Sequence, residues 1–389
     1  MDRRHFMGRG LAHGLVLGCS AAASPLLTPV AFAAAPWDTR LVVIVLRGAM
    51  DGLDAVQPLG DPAYAGLRPT LAGAAGVQAL DGFWGLHPGL APLLPLWQAG
   101  QFGAVQAVST PYRDRRSHFD GQDILEAGTV GADGEARRDG WLNRLLTLTP
   151  GVTAETAYAV GREQMLILTG QAPVSRWSPE ARLSLSPQAR QLLEVVQHDD
   201  PLFRDALIQA LDIVDGLDDD AATTGAGHLR LAGFVAARLR EESRIASFSL
   251  SGWDTHGQQA AGLTRALTRL AEVIGALRDG LGTDWGRTAV LCLTEFGRTA
   301  RENGTGGTDH GTGGVMLFAG GALRGGQVTG DWPGLGDGAL YAGRDLMPTR
   351  DVRAHAAWVL RAATGLPRAA LEAVVFPGLD MGGDPGLIL

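Results

Sequence analysis

Cysteine is nearly missing from this chain: two in 389 residues, Cys19 and Cys292. Once an N-terminal leader is removed, Cys292 stands alone and no intramolecular disulfide can form. Its place in the apolar run 289–293 makes it a buried thiol and not a nucleophile. Basic clusters are missing too. The 33 Lys and Arg are outnumbered by 41 Asp and Glu, the net charge is −8, and no basic run is long enough to track phosphates or grip an anionic membrane. Nucleic acid is thereby excluded as a partner. The mildly apolar segment 11–23 is too short, and too broken by Gly and Ser, to span a bilayer, so no stable membrane insertion is expected. No internal repeat is evident. Glycine, by contrast, is abundant at 55 residues, and only 19% of residues are charged, which suits many tight turns around a buried sheet.

The first residues carry an address. Asp2-Arg3-Arg4-His5-Phe6-Met7 has the paired arginines and bulky apolar follower of a twin-arginine export signal, and Ala31-Phe32-Ala33 is an A-x-A cleavage site. These predict a signal peptide over 1–33, the twin-arginine translocase as a partner, the periplasm as destination, and a mature chain starting at Ala34. Losing a net +2 leaves that chain at −10. Residues 34–389 are long enough for one large α/β domain or two smaller ones.

Hydrophobic periodicity predicts the elements. The continuous apolar run 41–46 reads as a strand buried on both faces. A proline-opened helix is expected over 88–97, a second parallel strand over 102–108, and a helix opened by Ser117, with Asp120 three residues on. The stretch 129–240 differs in texture: helices at 139–148, 188–197, 201–213 and 228–242, with an acidic solvated loop at 215–220, read as a mainly helical insertion. The core resumes with a strand over 244–250, a long helix over 260–279, and a strand over 289–293. Another apolar run, 315–319, and a helix over 351–364 capped by Asp351 close it. Strand–helix alternation with apolar strands implies an α/β fold: a mostly parallel central sheet with helices on both faces.

In such a sheet the strand exits share one edge and their residues can converge. Four exits here carry suspicious groups: Asp51, Ser117, Asp254 with His256, and Asp309 with His310 inside the glycine-rich stretch 302–314. Glu295 and Arg298 lie on the strand exit just before that stretch. Two imidazoles and three carboxylates suit one or two divalent metals of the zinc or manganese kind, which would activate a nearby serine or water toward a phosphoryl or sulfuryl group. Each residue also has a plain structural reading: Asp51 as a turn former, Ser117 as a helix cap. His87 and His118 are expected to be structural, donating to nearby carbonyls.

Five strings together carry a resemblance: Arg47-Gly48-Ala49-Met50-Asp51-Gly52-Leu53, Arg116-Ser117-His118-Phe119-Asp120-Gly121-Gln122, Trp253-Asp254-Thr255-His256, Thr294-Glu295-Phe296-Gly297-Arg298-Thr299 and Gly307-Thr308-Asp309-His310-Gly311. Over nearly the whole chain, leader included, they resemble an exported bacterial family catalogued as domain of unknown function 1501. That family is similar in turn to the superfamily of alkaline phosphatases, sulfatases and cofactor-independent phosphoglycerate mutases. The resemblance implies an alkaline-phosphatase-like fold and metal-dependent hydrolysis of phosphate or sulfate esters, small or glycan-linked. Asp51, Asp309 and His310 would hold one metal, and Asp254 and His256 part of a second. Ser117 would be the nucleophile and Arg298 a clamp on substrate oxygens, with Arg116 next in line. Two features depart from the superfamily pattern. Asp254-x-His256 is shorter than its Asp-x-x-x-His, and no final histidine is found, since His355 falls inside the 351–364 helix. Glu295 would then fill in as a ligand, or one metal position would be altered. The alternatives are a non-catalytic binding or assembly protein on the same fold, and a hydrolase that uses metal-bound water in place of Ser117.

Overall fold

Six consecutive apolar residues cannot be shared between core and water, because alternate side chains of a strand face opposite ways. In the computed structural model, strand β1 (Arg40–Arg47) accordingly lies in the middle of the sheet, with Leu41 to Leu46 at most 2% exposed. Val42, Ile44 and Leu46 enter one apolar core and Leu41, Val43 and Val45 the other. The structure describes residues 35–73, 75–129, 137–161, 165–178 and 227–389. The expected leader, the helices at 188–197 and 201–213 and the acidic loop at 215–220 lie outside them.

The remaining strands in chain order are β2 (Val56–Gln57), β3 (Gln78–Ala79), β4 (Gly85–Leu86), β5 (Phe102–Ser109), β6 (Ala157–Val160), β7 (Ser175–Trp177), β8 (Ile245–Ser251), β9 (Thr288–Leu293), β10 (Gly314–Ala319), β11 (Val328–Thr329) and β12 (Arg350–Asp351). The main sheet runs β11-β5-β10-β9-β1-β8-β6-β7, with β12 also on β5. Its pairings are parallel except for β10, which is antiparallel to both β5 and β9. β5 runs with β1, as expected, but β9 and the reversed β10 separate the two strands. The reversal has a simple cause: the glycine-rich stretch stays at the edge where β9 ends, so β10 starts there and runs back. β2, β4 and β3 form a small antiparallel sheet that the sequence patterns did not announce.

Helices α1 (Gly52–Ala55), α2 (His118–Ala127), α3 (Trp141–Thr147), α4 (Gly227–Arg240), α5 (Gln259–Leu281) and α6 (Val352–Thr364) complete the frame. α4 and α5 supply one core and α3 and α6 the other, so helices cover both faces. Asp351 caps α6 by accepting from Arg353 N–H. The expected helix at 88–97 is instead a 3₁₀ turn, Pro88–Leu93, followed by the short helix Leu94–Gln98. Pro92 inside the 3₁₀ turn and Pro95 at the start of the following helix lack the N–H that one continuous helix would need. The region 129–240 contributes α3 and α4, consistent with its helical texture, and also lends β6 and β7 to the sheet edge beside β8. No helix among the described residues is long and apolar enough to cross a membrane.

Ile44 is fully buried at the sheet centre, so Ile44→Ala should cost about 2–5 kcal/mol in urea unfolding. Phe119 is 83% exposed, and Phe119→Ala should stay within about 0.5 kcal/mol. Equal effects of the two substitutions would contradict this placement of the core.

Candidate metal centre

β1, β5, β8 and β9 all end on one edge, where β10 begins. Three loops meet there through a close turn. Gly48 adopts φ +121°, and a Cβ on it would lie 2.7 Å from the Asp254 amide nitrogen, so a side chain would push the β1 and β8 exits apart. Gly311 is similarly confined, since its Cβ would sit 2.3 Å from the Arg298 carbonyl carbon across the Arg298–His310 bridge.

At this edge Asp254 and three histidines come together. Asp254 Oδ1 is 3.1 Å from His256 Nε2 and 3.3 Å from His310 Nε2, and its Oδ2 is 3.4 Å from His118 Nε2. The Nε2 atoms of His256 and His310 are 2.9 Å apart. Each imidazole has its Nδ1 engaged elsewhere: His118 with Glu295 Oε1 at 2.8 Å, His256 with Asp309 Oδ1 at 3.1 Å, His310 with the Arg116 carbonyl at 2.9 Å. A carbonyl can only accept, so His310 Nδ1 carries the proton and neutral His310 presents a bare lone pair at Nε2. Burial holds its pKa below the usual value, which favours that neutral form. Asp254 stays ionised: burial is the largest single influence and opposes this, but the Arg298 hydrogen bond, the Arg298 charge and those of His256 and His118 together outweigh it.

Lone pairs and a carboxylate converging at such distances fit a shared cation. Ligand atoms around a tetrahedral ion with 2.0–2.1 Å bonds lie about 3.3 Å apart, close to the 2.9, 3.1 and 3.3 Å separations here. His118, Asp254 and His310 offer ligand atoms within 4.8 Å of one another. His118 Nε2 is buried and makes no hydrogen bond, an orphan that a metal would satisfy. The backing of each Nδ1 by an acceptor is the usual support for metal-bound imidazole.

The residues expected from sequence divide into those in the cluster, those behind it and those apart from it. Asp254, His256 and His310 are in the cluster. Asp309 sits behind His256 and Glu295 behind His118, each on a ring Nδ1, and neither, though expected as a ligand, is among the grouped ligand atoms. Glu295 is fully buried, with its Oε1 also accepting from Gly48 N–H and Gln122 Nε2. Asp51 is not in the cluster. Its Oδ2 accepts from Arg68 Nη1 at 2.6 Å, Gln259 Nε2 and Thr308 Oγ1, while Oδ1 caps α1. An arginine, in place of a metal, balances its charge. Arg298, expected as a clamp on substrate oxygens, is 1% exposed and donates to the carbonyls of Gly48, Ala49, Trp253 and Thr308 and to Asp254 Oδ1 at 2.6 Å. Ser117 caps α2, its Oγ accepting from Asp120 N–H at 3.4 Å, and no hydrogen bond joins it to the cluster.

His118 was missed. Its signal lay in the Arg116-Ser117-His118 string, at the first residue of a helix facing the strand exits. Arg116 contributes through its carbonyl, held by a left-handed backbone at φ +54°, which no side-chain pattern reveals. His87 is structural, but it accepts from Gly89 N–H where donation was expected, and burial pushes its pKa down to about 4. His355 is buried in α6 with neither ring nitrogen bonded, outside the cluster.

An α/β sheet whose strand exits gather three imidazoles around one carboxylate defines a protein with a candidate divalent-metal centre. Residues 97–356 match the family described as "Protein of unknown function (DUF1501)", and the chain belongs to that family. Among solved structures, similar ones include a protein in the alkaline phosphatase superfamily from Vibrio parahaemolyticus, at TM-score 0.36 and 11% identity. That match covers 74% of this chain and 62% of the other. The C-terminal periplasmic domain of EcEptC from Escherichia coli matches at TM-score 0.34 and 9% identity, over 72% of each chain. Ps i-CgsB matches at TM-score 0.41 and 10% identity, over 86% of this chain and 74% of that one. No curated protein matches the chain.

The Glu295–His118 pair gives a signed pH dependence. Burial raises the Glu295 pKa, but hydrogen bonds led by His118 bring it below the usual 4.5, and the same bond lifts His118 above 6.5. The Glu295 contribution is present above pH 4.5 and lost as pH falls through its lowered pKa. The His118 contribution is full below pH 6.5 and lost as pH rises through its raised pKa. In metal-free protein, Glu295→Ala should therefore cost most between pH 4.5 and 6.5, about 3 kcal/mol, and less above that window. Denaturant unfolding across pH 4–9 measures it, and a flat difference would show that the pair is not ionised.

Proposed function

We propose that this protein is a metal-dependent hydrolase of phosphate or sulfate esters, with His118, Asp254 and His310 as metal ligands and His256 beside them. One observation carries the reading: three imidazoles have Nδ1 committed to acceptors and Nε2 turned toward Asp254. Among the described residues this is one cluster, which favours one ion over two. Its nitrogen-rich donors suit zinc better than manganese. Such an ion would polarise an ester oxygen and lower the pKa of water toward neutrality. Arg298 holds Asp254 ionised and aimed, Glu295 holds the His118 ring, and the Arg116 carbonyl keeps the His310 proton on Nδ1. Ser117 is engaged by the Tyr112 side chain and the Asp120 N–H and not by the cluster, so we read water as the attacking nucleophile and Ser117 as a cap.

A second reading follows from His256. Its Nε2 lies 2.9 Å from His310 Nε2, and four protein donors would close the coordination sphere as in structural sites. That favours a binding or assembly protein on the same fold. Ester turnover decides between the two.

Elemental analysis of the exported protein should find about one zinc per chain. Asp254→Asn or His310→Ala should lower metal content and melting temperature together, because a ligand bound to the native state stabilises it. In a screen of phosphate and sulfate esters, Ser117→Ala should keep turnover within a few-fold of wild type, at a cap cost of about 1 kcal/mol. Loss of turnover with metal retained would restore Ser117 as nucleophile. The twin-arginine motif and the A-x-A site support export to the periplasm. Changing Arg3 and Arg4 both to Lys should leave precursor in the cytoplasm, and normal processing of that variant would refute this route.

A further inference from the structure

The three grouped donors rest on firm supports: His118 on buried Glu295, Asp254 on buried Arg298 and His310 on the Arg116 backbone carbonyl. His256 does not. Its side chain is 45% exposed, and its Nδ1 leans on Asp309, itself 50% exposed. What ties these two together is Asn303, inside the glycine-rich stretch. Asn303 Nδ2 donates to the His256 carbonyl at 2.8 Å and to Asp309 Oδ1 at 3.1 Å. Asn303 Oδ1 accepts from Thr305 N–H at 3.0 Å, Thr305 Oγ1 at 2.8 Å and Gly307 N–H at 3.1 Å. The reverse amide orientation would set an oxygen against two oxygens, so the network fixes which end is which.

The amide thus divides its work. Its oxygen builds the turn over 303–307, and its NH₂ reaches across to the backbone of His256 and to the carboxylate behind that ring. The loop lies directly on the β8 exit. Thr305 Oγ1 donates to the His256 carbonyl at 2.6 Å, Gln259 N–H donates to the Gly306 carbonyl at 2.9 Å, and a Cβ on Gly307 would sit 2.4 Å from the Thr255 carbonyl oxygen. Without the NH₂, Asp309 loses the group that aims it at Nδ1 and can turn to water. The other contacts of the ring are with His310 and Asp254, which are members of the cluster themselves.

We propose that Asn303 is the positioning residue that holds His256 in place beside the His118, Asp254 and His310 ligands of the divalent metal. The inference rests on the metal-centre reading above and assigns a role that neither Asp309 nor His256 can fill alone.

The test uses cobalt(II), whose visible absorption reports coordination number, titrated into the full chain. Asn303→Asp keeps the oxygen that builds the turn, removes the NH₂ and sets a carboxylate against Asp309. Asn303→Ala removes both functions. Asn303→Asp should bind cobalt about ten- to a hundredfold more weakly. Its absorption spectrum should shift toward that of His256→Ala, while its metal-free melting temperature, lowered by the new carboxylate, stays above that of Asn303→Ala. Wild-type affinity and spectrum in Asn303→Asp would overturn the proposal even if Asn303→Ala is destabilised, since the residue would then serve only the turn. Failure of the wild-type chain to bind cobalt would instead overturn the metal centre itself, and this inference with it.

Discussion

One buried guanidinium determines how the strand exits meet. Removing an arginine from water costs several kcal/mol unless its donors are used. Arg298 uses them on Gly48 and Ala49 after β1, Trp253 and Asp254 after β8, and Thr308 in the glycine-rich stretch. None of those loops can move without stranding a buried donor. The planar fork matters, because a lysine's point charge could not address three loops at once. Asp254, the oxygen source at the cluster's centre, is aimed by this constraint and is not free to turn.

A second layer lies beneath the first. Asp51 is paired with Arg68, and Gln259 bridges Asp51 and Asp54 while accepting from Thr255 and Thr308. Burial, then the charge of Asp51, push the Asp54 pKa up to about 6. This buried network fastens the segments that carry His256 and His310 to α1. Carboxylates of similar appearance in the chain thus have different jobs, set by what neutralises each: Arg68 for Asp51, His118 for Glu295, Arg298 for Asp254.

Much of the frame could be read from sequence, because the signals are local. The apolar run of β1, the 3.6-residue spacing of α5 and the caps at Ser117 and Asp351 each involve residues within a few positions of one another. The shared edge was legible as well, since parallel strands put their exits together. Within the site the reading reached the segments but not the roles. Asp254, His256 and His310 are in the cluster. Asp51, Glu295, Asp309 and Arg298 lie at the expected edge but are engaged by other side chains and carbonyls, and His118, expected to be structural, stands in the cluster.

The boundary between the two kinds of knowledge is one of distance along the chain. Strand, helix and cap follow from neighbours in sequence, so composition and periodicity determine them. A carboxylate's role follows from the cation it meets, and here the partners are remote: His118 and Glu295 are 177 residues apart, Asp51 and Gln259 are 208 apart. Sheet register and the reversal of β10 bring them together. A buried charge must be balanced by whatever the fold delivers to it, so only the assembled sheet could decide which groups joined the candidate cluster and which lie behind it.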